Sequence, residues 1–175
     1  MNQVFRFRVL IDHPDDVFRD IDLYADSSFE DFHKIIVKAF EFDGSQLASF
    51  YMSNESWDKG DEITLMKMDP EIATPNIQVM SETLISDKVS GKGEKLLYVY
   101  DFLYMWCFFI DLVDVIEPTA GEKYPKLVRK YGKSPDQYAK PIDLDNDIMP
   151  SIPEIPPDAD NLFPDGMLED MEEPD

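Results

Sequence analysis

The first 42 residues change their hydrophobic period, and this change limits the chain to folds that combine a sheet with a helix. In VFRFRVLI (residues 4–11), apolar residues alternate with arginines, which is typical of a half-buried strand. VFRDIDLY (17–24) follows a turn and again alternates, with Phe18, Asp20 and Asp22 on one face. SSFEDFHKIIVKAF (27–40) has apolar residues at helical spacing, and Ser27 with Glu30 fits a capping box.

Further strands are predicted after the helix. LASFYM (47–52), EITLM (62–66) and residues 96–101 and 105–115 have strand composition or alternation. Residues 69–90 are predicted to be irregular, with a short helix near 82–88. We therefore expect an α+β fold: a mixed β-sheet with one main helix packed on it, in a β-grasp-like order of hairpin, helix and further strands.

Charge divides the chain into three parts. Residues 1–122 hold 24 acids and 10 bases, residues 123–140 hold six bases and one acid, and residues 141–175 hold 12 acids and no base. The last part also carries seven of the 13 prolines, which oppose helix and sheet. We predict an α+β core domain (1–122), a basic connector that belongs to it (123–140) and an extended or partly disordered acidic tail (141–175).

The segment YVYDFLYMWCFF (98–109) contains seven aromatic residues, and it could be a membrane segment, a binding platform or sheet core. Its uncharged run of nine residues is too short for a membrane helix, which needs about 20 residues. No basic residue lies between Leu96 and Ala120, so a nucleic-acid platform is disfavoured. Alternation puts Trp106 and Phe108 on one strand face and Cys107 on the other, which favours sheet core.

Metal and nucleophile candidates are weak. Cys107 has aromatic sequence neighbours and is predicted to be a buried, inert thiol. His13 and His33 with one cysteine make a poor zinc ligand set. In the tail, four acids occupy positions 1, 3, 5 and 12 of a calcium-loop spacing: Asp143, Asp145, Asp147 and Glu154. Position 6, which is normally glycine, is Ile148, and two prolines interrupt the pattern. We predict no metal and no cofactor.

The connector KYPKLVRKYGK (123–133) interleaves bases with tyrosines, which is a weak nucleic-acid signal. It could also be a solvated face or a partner for the acidic tail, and opposite charge favours pairing with the tail. The tail itself keeps spaced apolar residues, including Ile152, Leu162 and Phe163, which suit docking on this domain or on a partner.

Several segments resemble, in this order, the pRi plasmid ORF-three-like family, whose members are also described as insertion-element passenger or resolvase-like proteins. The family runs through P-x-x-W-R-R-I, TLxxLHxxIxxAFGW, HLxxF, YxYDFGDxWxHxI and PPED. The corresponding residues here are Pro14 with VFRDI (17–21), SFEDFHKIIVKAFEF (28–42), QLASF (46–50), YVYDFLYMWCFFI (98–110) and Pro135-Asp136. The resemblance covers most of residues 4–140 and leaves the tail out.

Only part of the family's polar pattern is kept. The replaced positions are Phe18, Asp20, Gln46, Leu103, Tyr104 and Phe108. Arg19, His33, Asp101 and Trp106 remain, and the resemblance implies that these four are the binding residues of any residual site. The replacements favour a shared fold without a shared activity, and the resolvase description gains no support because no serine lies in an arginine-rich setting.

We predict a non-catalytic interaction module that binds a macromolecule, with protein favoured, nucleic acid and membrane disfavoured, and the oligomeric state open. The N-terminal segment MNQVFRFRVL lacks signal-peptide features, which predicts a cytoplasmic location. One alternative is a mobile-element-associated metal-dependent hydrolase or nucleic-acid enzyme, which would need a cleft that gathers Asp101, His33 and Arg19. A second alternative is an acidic nucleic-acid mimic with its carboxylates clustered on one convex face.

Overall fold

Eight strands and one α-helix make up the part of the chain that the computed structural model describes, residues 2–67 and 77–140. The helix α1 (Phe29–Ala39) lies between the second and third strands in sequence. The strands are β1 (Val4–Ile11), β2 (Phe18–Tyr24), β3 (Ala48–Met52), β4 (Glu62–Thr64), β5 (Gln78–Val79), β6 (Lys95–Tyr100), β7 (Trp106–Ile116) and β8 (Lys126–Tyr131). In place of the short helix predicted near 82–88, the structure has the 3₁₀ turn Ile85–Asp87, which follows another 3₁₀ turn at Met80–Glu82.

The strands form one sheet in the order β5-β4-β3-β6-β7-β1-β2-β8. All neighbours are antiparallel except β4 and β5, so the predicted mixed sheet with one main helix is confirmed. The β-grasp-like order is not confirmed. Two late strands, β7 and β8, flank the β1–β2 hairpin, and alternation within a strand cannot specify such distant neighbours.

The β1–β2 hairpin has one apolar face and one face of ion pairs, as its alternation predicts. Arg6 and Arg8 lie opposite Asp22 and Asp20, and each guanidinium donates two hydrogen bonds of 2.8–2.9 Å to its carboxylate. Bidentate geometry of this kind fixes both side chains on the sheet face that α1 does not cover. Arg19 is the exception in β2, because it lies on the apolar face and is fully buried.

The helix α1 begins one residue later than the predicted capping box. Ser28 is the N-cap: its hydroxyl accepts from the backbone of Asp31, whose carboxylate accepts from the backbone of Ser28. The predicted pair of Ser27 and Glu30 is therefore wrong by one position, since Ser27 instead donates its backbone N–H to Tyr24 in the preceding turn. The buried helix face consists of Phe29, Phe32, His33, Ile36 and Ala39.

The strand β7 carries the aromatic stretch into the centre of the sheet. Trp106, Phe108, Ile110 and Leu112 are buried, and the residues between them are partly exposed, as the alternation predicts. Phe108 contacts the rings of Phe40 and Tyr98 at centroid distances of 4.9 and 5.3 Å. The strand residues of the stretch are sheet core, whereas Phe102 and Leu103 in the turn between β6 and β7 are exposed. No helix among the described residues has the length and hydrophobicity to cross a membrane.

The strand β8 lies inside the segment that was predicted to be a basic connector, and it pairs with β2. The register shifts between Asp20 and Ile21, which places Val128 in a bulge on β8. Outside the strand, Ser134 anchors the next segment by donating its hydroxyl to the carbonyl of Phe40 at 2.6 Å. The predicted tail (141–175), with its calcium-like spacing, lies outside the described residues.

Candidate functional site

Arg19 connects three elements rather than facing solvent. Its Nε donates to the carbonyl of Ala39 at 3.1 Å, and its Nη1 donates to the carbonyls of Phe18 and Tyr131 at 2.8 Å each. The guanidinium also lies 5.1 Å from the ring centroid of Phe40. Burial lowers the pKa of Arg19. The negative end of the α1 helix dipole, at the C-terminus of the helix, stabilises the positive charge of the guanidinium. The Nη2 atom has no hydrogen-bond partner among the described residues.

His33 lies on the buried face of α1 against the sheet. Its Nδ1 forms a 2.6 Å hydrogen bond with the hydroxyl of Tyr98, a residue of β6 that is fully buried. Burial lowers the pKa of His33 to about 4, and burial likewise raises the pKa of Tyr98. The imidazole is therefore neutral at pH 7 and holds the helix on β6.

Asp101 ends β6 and shapes the turn into β7. Its backbone has a φ of 65°, a conformation that aspartate tolerates better than most residues. Its Oδ1 accepts hydrogen bonds from the backbone N–H groups of Leu103 and Tyr104 at 2.9 and 3.1 Å. The carboxylate thus makes the local bonds of an Asx turn and does not reach His33 or Arg19 by any hydrogen bond in the described residues.

Trp106 follows this turn and fixes the segment after β8. Its Nε1 donates to the carbonyl of Gln137 at 2.9 Å, and the Lys140 ammonium lies 5.1 Å from its ring centroid. The same ammonium donates to the carbonyl of Met105 at 2.6 Å. The Lys140 ammonium therefore covers the indole ring, and Trp106 is only 2% exposed.

A cleft of about 350 Å³ opens beside Trp106, between the β1–β2 loop and the segment after β8. Apolar groups line most of it, and the carboxylates and the amine lie among them. The lining residues are Asp12, His13, Pro14, Trp106, Pro135, Asp136, Ala139 and Lys140. Of the four predicted binding residues, only Trp106 lines this cleft.

A polar cluster around Asp43 was missed by the sequence analysis. The Asp43 carboxylate accepts hydrogen bonds from Tyr138, Tyr100, Gln137 and Ser45, and the backbone N–H of Asp43 donates to the Gln137 amide oxygen at 2.8 Å. These bonds, led by that of Tyr138, hold the pKa of Asp43 well below its usual range. The short spacing Asp43 to Ser45 was visible in the sequence, but its partners 94 residues away were not.

The described residues hold no candidate metal centre and no activated thiol. No group of three or more His, Cys, Asp or Glu side chains within residues 2–67 and 77–140 is arranged to hold a metal ion. Cys107 is half-buried, and burial raises the pKa of its thiol, so the reactive thiolate is disfavoured.

A family model for the plasmid pRiA4b ORF-3-like protein matches residues 3–139. The chain belongs to the plasmid pRiA4b ORF-3-like family. No curated protein matches the sequence at a significant level. Among solved structures, the chain is similar to a protein of unknown function, MM3350, from Methanosarcina mazei Go1, with a TM-score of 0.68 and 21% identity over 80% of this chain and 75% of that chain. The likeness to MM3350 establishes a shared fold.

The plasmid pRiA4b ORF-3-like motif positions separate into two groups in this structure. Pro14, Trp106, Pro135 and Asp136 come from three distant segments and line the same cleft. Arg19, His33 and Asp101 instead make bonds inside the fold, to carbonyls, to Tyr98 and to the turn. The chemistry available at the cleft is therefore recognition by a mainly apolar lining that includes a few charged side chains.

Proposed function

We propose that this protein is a non-catalytic module that binds a segment of another protein. The observation that carries the proposal is the sheet edge at β8, where Leu127, Val128 and Tyr131 are 38%, 40% and 49% exposed. Among the described residues, β8 has β2 as its one strand neighbour, so half of its backbone N–H and C=O groups face away from the sheet. Addition of a partner strand to such an edge is a common mode of protein recognition.

The internal bonds of the family motif support the non-catalytic part of the proposal. The alternative of a metal-dependent hydrolase or nucleic-acid enzyme needs a cleft that gathers Arg19, His33 and Asp101. Each forms hydrogen bonds with different partners, and both Arg19 and His33 are closed off from solvent by the helix and the sheet. A group that is to polarise a substrate or activate water must be able to contact it.

The ion pairs on the open sheet face weigh against the nucleic-acid mimic. A mimic needs unpaired carboxylates on one surface, in place of phosphates. On this face Asp20, Asp22 and Asp111 are paired with Arg8, Arg6 and Lys95. Positive and negative side chains therefore alternate on this face, and a basic protein would not bind it as it binds a phosphate backbone.

Site-specific photo-cross-linking tests the proposal. A benzophenone amino acid replaces Val128 in the full chain, and the protein is irradiated in native lysate of its source cells. We expect a discrete protein adduct at this position because the side chain projects from an exposed edge. Leu103, which is 52% exposed in the β6–β7 turn, provides the matched control position.

The control separates an interface from general stickiness. If the same set of proteins is cross-linked at Val128 and at Leu103, the contacts are non-specific. Cross-linking to nucleic acid alone would contradict the protein-binding role. A turnover assay that found hydrolysis of a nucleic acid or phosphodiester by the purified chain would refute the non-catalytic part.

A further inference from the structure

The free edge at β8 carries the most basic stretch of an acidic chain. Residues 123–133 contain five lysines and arginines and no acid, although the whole chain has a formal net charge of −21. Lys126 forms an ion pair with Glu122 at 2.9 Å, and the other four cations make no ion pair within residues 2–67 and 77–140. Unpaired cations on an exposed edge favour a negatively charged partner.

We propose that the β8 edge binds an acidic, extended segment of the partner protein as a ninth strand. This inference rests on the proposed function and names the chemistry of the partner. Backbone hydrogen bonds along β8 would supply affinity, and the cations would select glutamate and aspartate over neutral or basic residues.

The strand register places cations on both faces of the edge. Lys126, Arg129 and Tyr131 lie opposite Asp22, Asp20 and Phe18, on the sheet face that α1 leaves open. Leu127 and Lys130 lie opposite Ile21 and Arg19, on the helix side. A partner strand would therefore meet an apolar group and a positive charge on either face, which suits acidic residues interleaved with apolar ones.

The edge is held in place before any partner arrives. Arg19 donates to the carbonyl of Tyr131, the last residue of the strand, and the ring of Tyr131 stacks on Phe18 with centroids 5.1 Å apart. Gly132 follows with a φ of 77°, and a Cβ there would lie 2.5 Å from the carbonyl oxygen of Asp16. A rigid edge lowers the entropy lost on binding.

Two other occupants, a second copy of this chain and a nucleic acid, fit these observations less well. A second copy would set β8 against β8 and bring cations against cations, which destabilises a strand pair. Single-stranded nucleic acid would find cations and tyrosines, but it would also approach Asp20 and Asp22 and the negative field of the chain. The lysines and the bulge thus disfavour pairing of β8 with a second copy of itself, whereas an acidic strand can still pair with this edge.

Fluorescence anisotropy with a synthetic probe tests the inference on the full chain. The probe is a labelled ten-residue peptide in which pairs of glutamates alternate with valine–threonine pairs, so that each face of the strand carries both acidic and uncharged side chains. We expect binding that weakens with salt and that falls about tenfold in Lys130→Glu, since one attraction becomes a repulsion. Lys92→Glu makes the same charge change at an exposed lysine away from the edge and should leave the affinity within about twofold.

Methylated backbones separate strand addition from charge attraction. Two probes carry N-methyl groups on alternate residues in opposite frames, with identical charge. We expect one frame to abolish binding and the other to keep it, because only alternate amides face β8. Equal binding of both probes would contradict strand addition, since backbone hydrogen bonds to β8 would then be absent. A loss of peptide affinity in Lys92→Glu as large as that in Lys130→Glu would also contradict the inference.

The remaining outcomes would assign a different ligand to the β8 edge. Displacement of the peptide by an equal concentration of ten-nucleotide oligothymidine would make the edge a nucleic-acid site. A concentration-dependent dimer in sedimentation velocity that Lys130→Glu strengthens would make it a self-association edge. A protein adduct at Val128 without peptide binding removes this inference alone, whereas loss of both results also removes the proposed function.

Discussion

Acid pH should destabilise the fold through His33, and the size of the effect follows from its burial. The residue is 6% exposed and its pKa is about 4, against 6.5 for a free histidine. Between these values the unfolded chain binds a proton that the folded chain does not, so stability is complete above about pH 6.5 and falls as the pH falls. Linkage gives a loss of about 2 kcal/mol at pH 5 and about 3 kcal/mol at pH 4.

Urea denaturation at pH 7, 6 and 5 measures this loss. The range stops at pH 5 because the sequence gives an isoelectric point of about 4.2, and a net charge near zero promotes precipitation. His33→Gln stays neutral at every pH, so the difference between the unfolding free energies of wild type and variant isolates the histidine. We expect this difference to fall by about 2 kcal/mol from pH 7 to pH 5.

Parallel stability profiles for wild type and His33→Gln would refute the reasoning, since His33 would then titrate alike in the folded and unfolded chains. That result would mean that water reaches the interface between α1 and β6.

Three further substitutions test the contacts that position the cleft and the edge. Arg19→Met should lower the unfolding free energy by about 3 kcal/mol, because it removes the donors to the buried carbonyl of Ala39 and the partly buried carbonyl of Tyr131; a neutral effect in urea denaturation would show that dehydration of the guanidinium cancels its bonds. Gly132→Ala should cost about 2 kcal/mol more than Gly93→Ala, since both glycines have positive φ but only Gly132 meets a backbone oxygen; equal melting shifts would contradict the clash. Trp106→Phe should cost about 2 kcal/mol and speed amide exchange in residues 134–140, because the Gln137 carbonyl loses its donor; unchanged exchange would show that other contacts hold this segment.

Local patterns predicted the faces of several elements correctly. The alternation in β1 and β7 gave the buried residues, because each strand has one face against the core and one face toward solvent. It also identified Trp106 and Phe108 as sheet core. The capping box was wrong by one position because Ser27 and Ser28 both have an acid three residues later, and only the turn at Tyr24 decides between them.

Non-local pairing was beyond the sequence analysis. The bulge at Val128 interrupts the alternation of KLVRKY, so the six residues read as a charged connector although they form β8. The burial of Arg19 was also hidden, since its carbonyl partners lie at the end of α1 and on β8. The cleft depends on the same long-range contacts, because Pro14, Trp106 and Pro135 meet only when three segments fold together.

Amide hydrogen exchange of β8 shows whether an acidic strand pairs with this edge. Exchange is followed by mass spectrometry on the full chain, with and without the acidic peptide at saturating concentration. If the peptide pairs with β8 as a ninth strand, its binding slows exchange at alternate amides of residues 126–131 and leaves the cleft beside Trp106 unchanged. Peptide that is bound while the β8 amides exchange at their free rate, or protection that appears at the cleft instead, would contradict this pairing.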